Sequence, residues 1–216
     1  MPAVARRSRK ARPRWQRRKA ARPAEIVTAA LEVFVQRGFA AARLEEVARR
    51  AGVTKGTLYL YFKSKEALFK AVVRETIVPV IAQGEALAQS FTGTARELVE
   101  RLVREYWRLV GETELAGIPK LMMAEAATFP QLTRFYYEEV VTRGHRLMAG
   151  VIERGIKSGE FRKVDVATAA KLAMSPLMHA TVARRAFASC MPEGFDVAKY
   201  LDTHIDLYLH GITNTR

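Results

Sequence analysis

The chain has 216 residues, of which 49% are hydrophobic and 27% charged, and a formal net charge of +14. That length supplies one large or two modest domains, and no run of about 18 apolar residues is present to cross a bilayer. A single cysteine, Cys190, excludes an internal disulfide framework and fits a reducing compartment, so a cytoplasmic protein without membrane attachment is expected.

The charge is unevenly spread. Residues 1–24 hold ten Arg or Lys and no acid, 25–75 carry nine basic against six acidic, and 76–216 carry seventeen against sixteen. A polyanion partner is therefore expected for the front of the chain, and something else for the nearly neutral remainder. Residues 1–22 are too basic and too poor in apolar side chains to form a core. They read as a disordered arm that tracks phosphates or enters a minor groove, or else as a solubilising tail. No apolar stretch follows these charges, so no secretory signal is expected.

The first helix is expected from about Pro23 to Arg37, with Ile26, Ala29, Ala30, Val33 and Phe34 as its inner stripe. Gly38 ends it and Phe39 tucks back. Leu44 to Lys65, LEEVARRAGVTKGTLYLYFKSK, then reads as two short helices around a tight turn. Leu44, Val47, Ala48 and Ala51 form one apolar face, Gly52 supplies a left-handed turn residue, and Thr54 caps the second helix. Leu58 and Phe62 face inward, and Ala48 keeps the crossing close. Lys55, Gly56, Thr57, Tyr59 and Tyr61 are left on the outer face. A charge, hydroxyls and rings around a bare backbone spot suit phosphates and base edges, as in a helix-turn-helix lying in a major groove. A solvated helical hairpin is the plainer alternative.

Ser64 caps a fourth helix, from Lys65 to about Gln83, which Pro79 should kink or end. A capping box, Thr94 with Glu97, opens the next helix, to about Gly111, and a short one follows from Ile118 to Ala127. Pro130 starts a longer one to about Lys157, Asp165 caps one to about Ser189, and Asp196 caps the last, to about Gly211. The expected architecture is all-α, about nine helices, with a helix-turn-helix unit at 23–70 joined by a linking helix to a larger helical part at 71–216. The four histidines form no zinc-binding helix pair, and there is no phosphate-binding glycine loop or nucleophile elbow. Neither an enzyme, a metal site nor a cofactor is expected.

The run TKGTLYLYFKSKEAL, preceded by Gly38-Phe39 and the two short helices, resembles the tetracycline-repressor-like family of bacterial transcriptional regulators over Ala24 to Val73. The resemblance implies a homodimer on a pseudopalindromic double-stranded operator, usually a repressor released by a small molecule. It implies that Lys55 and Thr57 face bases or phosphates, Gly56 lets the backbone approach, and Tyr59 and Tyr61 touch phosphates or a thymine methyl. Thr54 opens that surface, and Lys65 would clamp phosphate. Four positions depart from the family pattern: Ala42 and Arg43 replace hydroxyl caps, Glu45 replaces a basic reader, and Leu60 replaces an aromatic or His. Arg43 retains a charge for phosphate, and Glu45 accepts from cytosine or points away.

Behind this unit, Trp107, Met122, Met123, Phe129, Phe135, Tyr136, Tyr137, Met148, Met174 and Met178 are core residues one by one. Together they make an adaptable apolar set for a greasy or aromatic effector of unknown identity, with His179 as its polar group or as a satisfied core histidine. Ala173, Leu177, Ala180, Thr181 and Arg184, with Leu201, His204, Ile205, Tyr208 and Leu209, either form a four-helix seam with a two-fold mate or close the monomer core. A basic architectural DNA-coating protein, or a regulator without a ligand, is the alternative function. Weak preference between random and selected duplexes would mark the architectural case.

Overall fold

The structure of the protein, a computed structural model, describes residues 14–190 and 196–214. Its helices are α1 (Arg14–Ala41), α2 (Leu44–Arg50), α3 (Lys55–Tyr61), α4 (Lys65–Ser90), α5 (Ala95–Tyr106), α6 (Gly117–Glu125), α7 (Pro130–Tyr136), α8 (Thr142–Ser158), α9 (Val166–Ala186) and α10 (Val197–Ile212). A π turn at Tyr137–Val141 runs α7 into α8 without a break, which leaves nine separate rods among the described residues. A second π turn, Trp107–Gly111, prolongs α5. The fold is all-α as expected; the described residues hold no strand, only a bridge between Phe161 and Thr213.

Side-chain caps set most of the helix starts. Thr54 Oγ1 accepts the Thr57 N–H at 3.1 Å, Ser64 Oγ accepts that of Ala67 at 3.1 Å, and Asp165 and Asp196 do the same at 2.8 and 3.0 Å. Thr94 and Glu97 close their capping box at 3.1 and 2.8 Å. Arg43 makes no side-chain cap for α2, whose first turn relies on Glu45 and Glu46 at its positive end.

Two helices are longer than expected. α1 begins at Arg14, so residues 14–22 of the expected disordered arm are helical and Pro23 lies inside the helix. The segment RWQRRKAAR is made of strong helix formers, which offset the one backbone hydrogen bond that Pro23 cannot donate. Residues 1–13 of the arm lie outside the described residues. α4 likewise continues past Pro79 to Ser90, with the proline on an exposed side. Gly38 (φ 79°) breaks the helical path inside α1, and Gly52 (φ 63°) turns α2 into α3.

Two apolar clusters hold these rods. The first gathers Phe34, Phe39, Leu58, Leu68 and Phe69 from α1 to α4, and continues into Ile118, Leu121, Leu132 and Phe135. Phe129 packs edge-on against Phe39, ring centroids 4.8 Å apart, and Glu125 Oε1 accepts the Ala40 N–H at 3.1 Å. The front unit and α6–α7 therefore share one core. The second cluster joins α5, α8, α9 and α10 around Val103, Trp107, Ile152, Phe161 and Leu177.

The residues proposed as a seam between two chains lie largely inside this second cluster. Ala173, Leu177, Ala180, Thr181, Leu201 and Ile205 are buried within the single chain. The His204 ring lies 2.9 Å from the Ala173 carbonyl, and the Tyr208 hydroxyl donates to that of Ala169 at 2.9 Å. Arg184 donates to the Gly111 carbonyl at 3.2 Å. α9 and α10 close the monomer core through these side chains, because each helix needs its apolar stripe against α5 and α8. Their outer faces instead carry Leu172, 59% exposed, and Leu207, 69% exposed, with His179 beside them.

Candidate nucleic-acid interface and ligand cavity

Leu58, wholly buried, and Phe62 seat α3 against α1 and α2, and the Val53 N–H donates to the Ala48 carbonyl at 2.9 Å. This fixes the opposite face of α3. Lys55, Gly56, Tyr59 and Leu60 are exposed there, Leu60 to 83%, while Thr57 and Tyr61 are half-buried. The Thr54 and Thr57 hydroxyls lie 2.9 Å apart. Arg43 stands exposed at the start of α2.

Two charged groups are engaged differently from expectation. Glu45 of α2 pairs with Lys55 of α3 across the reading face. Their hydrogen bond holds the Glu45 carboxyl below its usual range and raises the Lys55 ammonium above its own. Lys65 does not project as a free phosphate clamp. Its Nζ donates to the Ala40 and Ala42 carbonyls at 2.9 and 3.1 Å and lies 4.8 Å from the Phe39 ring centroid. The carbonyls at the end of α1 have no further helical turn to bond, so they take the ammonium.

The second site is a cavity of about 410 Å³ lined by residues of α4 to α9 and both π turns. A second lobe of about 280 Å³ adjoins it, and both share Val80, Ile81, Tyr106, Gly144 and Met174. Of the residues expected here, Met122, Met123, Tyr136, Tyr137, Met174 and Met178 line the larger lobe, and Met148 lines the smaller. Trp107, Phe129 and Phe135 pack into the two cores instead. His179 is exposed on α9, so the expected polar group is not in the cavity. His145 of α8 is there, half-buried, with burial and then the nearby Lys171 lowering its pKa. The sequence offered a signal for it: His145 lies one helical turn from Val141 and eight residues beyond Tyr137, on the same side of the α7–α8 rod. Ile77, Val80 and Ile81, one stripe of α4, were also not expected in the wall.

α4 is tied to that wall on both sides of the stripe. Arg74 pairs with Glu139 at 3.2 Å, and Arg143 clasps Glu85 with both its Nε and Nη2, at 2.6 and 2.5 Å. Burial raises the Tyr106 and Tyr136 phenols well above the usual range, so both stay protonated. No helix among the described residues is long and apolar enough to cross a membrane, and they hold no cluster of three metal-binding side chains.

A helix-turn-helix head set on a helical part with an apolar cavity defines a DNA-binding regulator. Residues 26–72 match the family model of bacterial regulatory proteins, tetR family, and 97–210 match that of the AefR-like transcriptional repressor, C-terminal domain. The chain belongs to the TetR family of transcriptional regulators. It is 27% identical over 150 residues to the fatty acid metabolism regulator protein of Bacillus subtilis, covering 68% of this chain and 75% of that one. To RutR, an HTH-type transcriptional regulator of Escherichia coli, it is 30% identical over 154 residues, covering 65% and 64%. The crystal structure of FadR from Bacillus subtilis in complex with stearoyl-CoA superposes with a TM-score of 0.76 at 23% identity, covering 88% of this chain and 98% of that one.

Proposed function

We propose that the protein is a homodimeric repressor that holds a pseudopalindromic operator and leaves it when a small apolar or aromatic effector fills the cavity. The observation that carries this reading is the double service of α4. Its first turn supports the reading head, and Ile77, Val80 and Ile81 further along it wall the cavity. A ligand that pushes on that stripe rotates or tilts α4 and changes the spacing of two heads on one duplex. The FadR crystal structure containing stearoyl-CoA supports an apolar occupant in a domain of this shape.

Residues 23–70 serve as the DNA-binding unit and 71–216 as the ligand-binding and dimerisation part. The second copy packs on the outer faces of α9 and α10, at Leu172, His179 and Leu207. Lys55, Gly56, Thr57, Tyr59 and Tyr61 read the major groove, with Arg43 on phosphate. Glu45, paired with Lys55, restrains which base that lysine reaches.

Selection of duplexes from a random pool, followed by footprinting, tests this reading. Two protected half-sites about one helical turn apart are expected. Uniform protection of unrelated duplexes at the same salt would overturn it in favour of architectural DNA coating.

A further inference from the structure

Resting on the reading of the cavity as the effector site, we infer that the part of its ligand held in the larger lobe is uncharged and carries a carbonyl oxygen, as of a ketone or ester, that the Tyr136 hydroxyl receives. Tyr136 is only 6% exposed and lines the larger lobe; no hydrogen bond holds its hydroxyl to another described residue, and its oxygen is not sealed from the lobe, Trp107 Nε1 being the sealed unpartnered polar atom among the described residues. Of the other hydroxyl residues on the same wall, Tyr137 is 55% exposed, and the rest are already engaged. Thr133 donates to the Ala126 carbonyl at 3.1 Å, Ser175 to that of Lys171 at 2.8 Å, and Tyr106 shares a 3.4 Å contact with Thr181. A phenol on an apolar wall with no protein partner is held by water when the lobe is empty and by an acceptor brought in from outside when it is filled. Burial keeps the phenol protonated, which makes it a donor.

The same wall argues against a carboxylate. No Lys, Arg, Asp or Glu lines the larger lobe, and burial together with Lys171 favours the neutral form of His145. A charge in that lobe would lose its water without gaining a counter-ion. The apolar body has room to run past Gly144 and Met174 into the second lobe, whose lining includes Arg101 and Glu105.

Three phenylalkyl probes of one length separate the possibilities by isothermal titration at neutral pH: hexanophenone, hexylbenzene and ω-phenylhexanoate. Tyr136→Phe should weaken hexanophenone by about tenfold and leave hexylbenzene unchanged. The parent protein should bind hexanophenone at least about tenfold more tightly than the carboxylate. Unchanged hexanophenone affinity in the variant overturns the inference while leaving the cavity as the effector site. Should the variant lose both neutral probes together, the parent's ranking decides: hexanophenone bound more tightly than hexylbenzene and than the carboxylate supports the inference, and any other order overturns it. Failure of all three probes to bind the parent overturns the reading of the cavity itself.

Discussion

The reading head and the cavity are built in opposite ways. The head's outward residues fall between Arg43 and Tyr61, on and beside two short helices whose inner faces are packed tight. The cavity draws its wall from Ile77 to Met178, across six helices and two π turns. A surface of the first kind is specified by local pattern and turn chemistry. One of the second kind exists only after distant elements meet, and it depends on side chains failing to fill the space between them.

Changes that touch one region and spare the other probe that contrast. The largest effect is expected from replacing Lys55 and Tyr59 together by alanine. Affinity for the selected duplex, read by fluorescence anisotropy, should fall about a hundredfold with the helical circular dichroism intact. Full retention would move the reading surface off α3.

Gly144→Leu addresses the cavity. A Cβ there meets nothing within 4 Å, so a larger side chain projects into the junction of the two lobes. Binding of hexylbenzene should weaken by about tenfold or more while DNA affinity holds. Undiminished ligand binding would place the ligand elsewhere.

Lys65→Met sharpens the boundary of the reading surface. Losing two charge-assisted bonds to the Ala40 and Ala42 carbonyls should cost about 2 kcal/mol in urea unfolding, allowing for partial exposure. The salt dependence of DNA binding should keep its slope, whereas removal of a phosphate contact would reduce it by about 0.9. The smallest effect belongs to Thr94→Ala, which opens a capping box remote from both sites. It should cost about 1 kcal/mol in thermal unfolding and alter neither DNA nor ligand affinity.

The caps, the Gly38 and Gly52 turns and the inward set of Leu58, Phe62, Ile26 and Phe34 were all legible in the sequence, because each depends on neighbours within a turn or two. The start of α1 was not, since Pro23 is a boundary signal that the helix formers ahead of it outweigh. Lys65 was misread because its carbonyl partners lie 25 and 23 residues earlier in the chain. Among the cavity residues, Met and Tyr positions were visible as an apolar set, but nothing local distinguishes Met174, which lines space, from Trp107, which fills it. The histidines divide between the two cases: His145 shares the register of Val141 and Tyr137 on its own rod, whereas the outward turn of His179 is set by the crossing of α8 and α9.

The edge-on contact of Phe129 with Phe39 and the grip of Glu125 on the Ala40 amide have a consequence for recombination. A head cut away near Val73 would carry off half of a shared interior, and a foreign head grafted there would need its own match for α6 and α7. New operator preferences are therefore reached more readily by exchanging side chains along α3 than by shuffling whole modules, since only the former leaves that joint untouched.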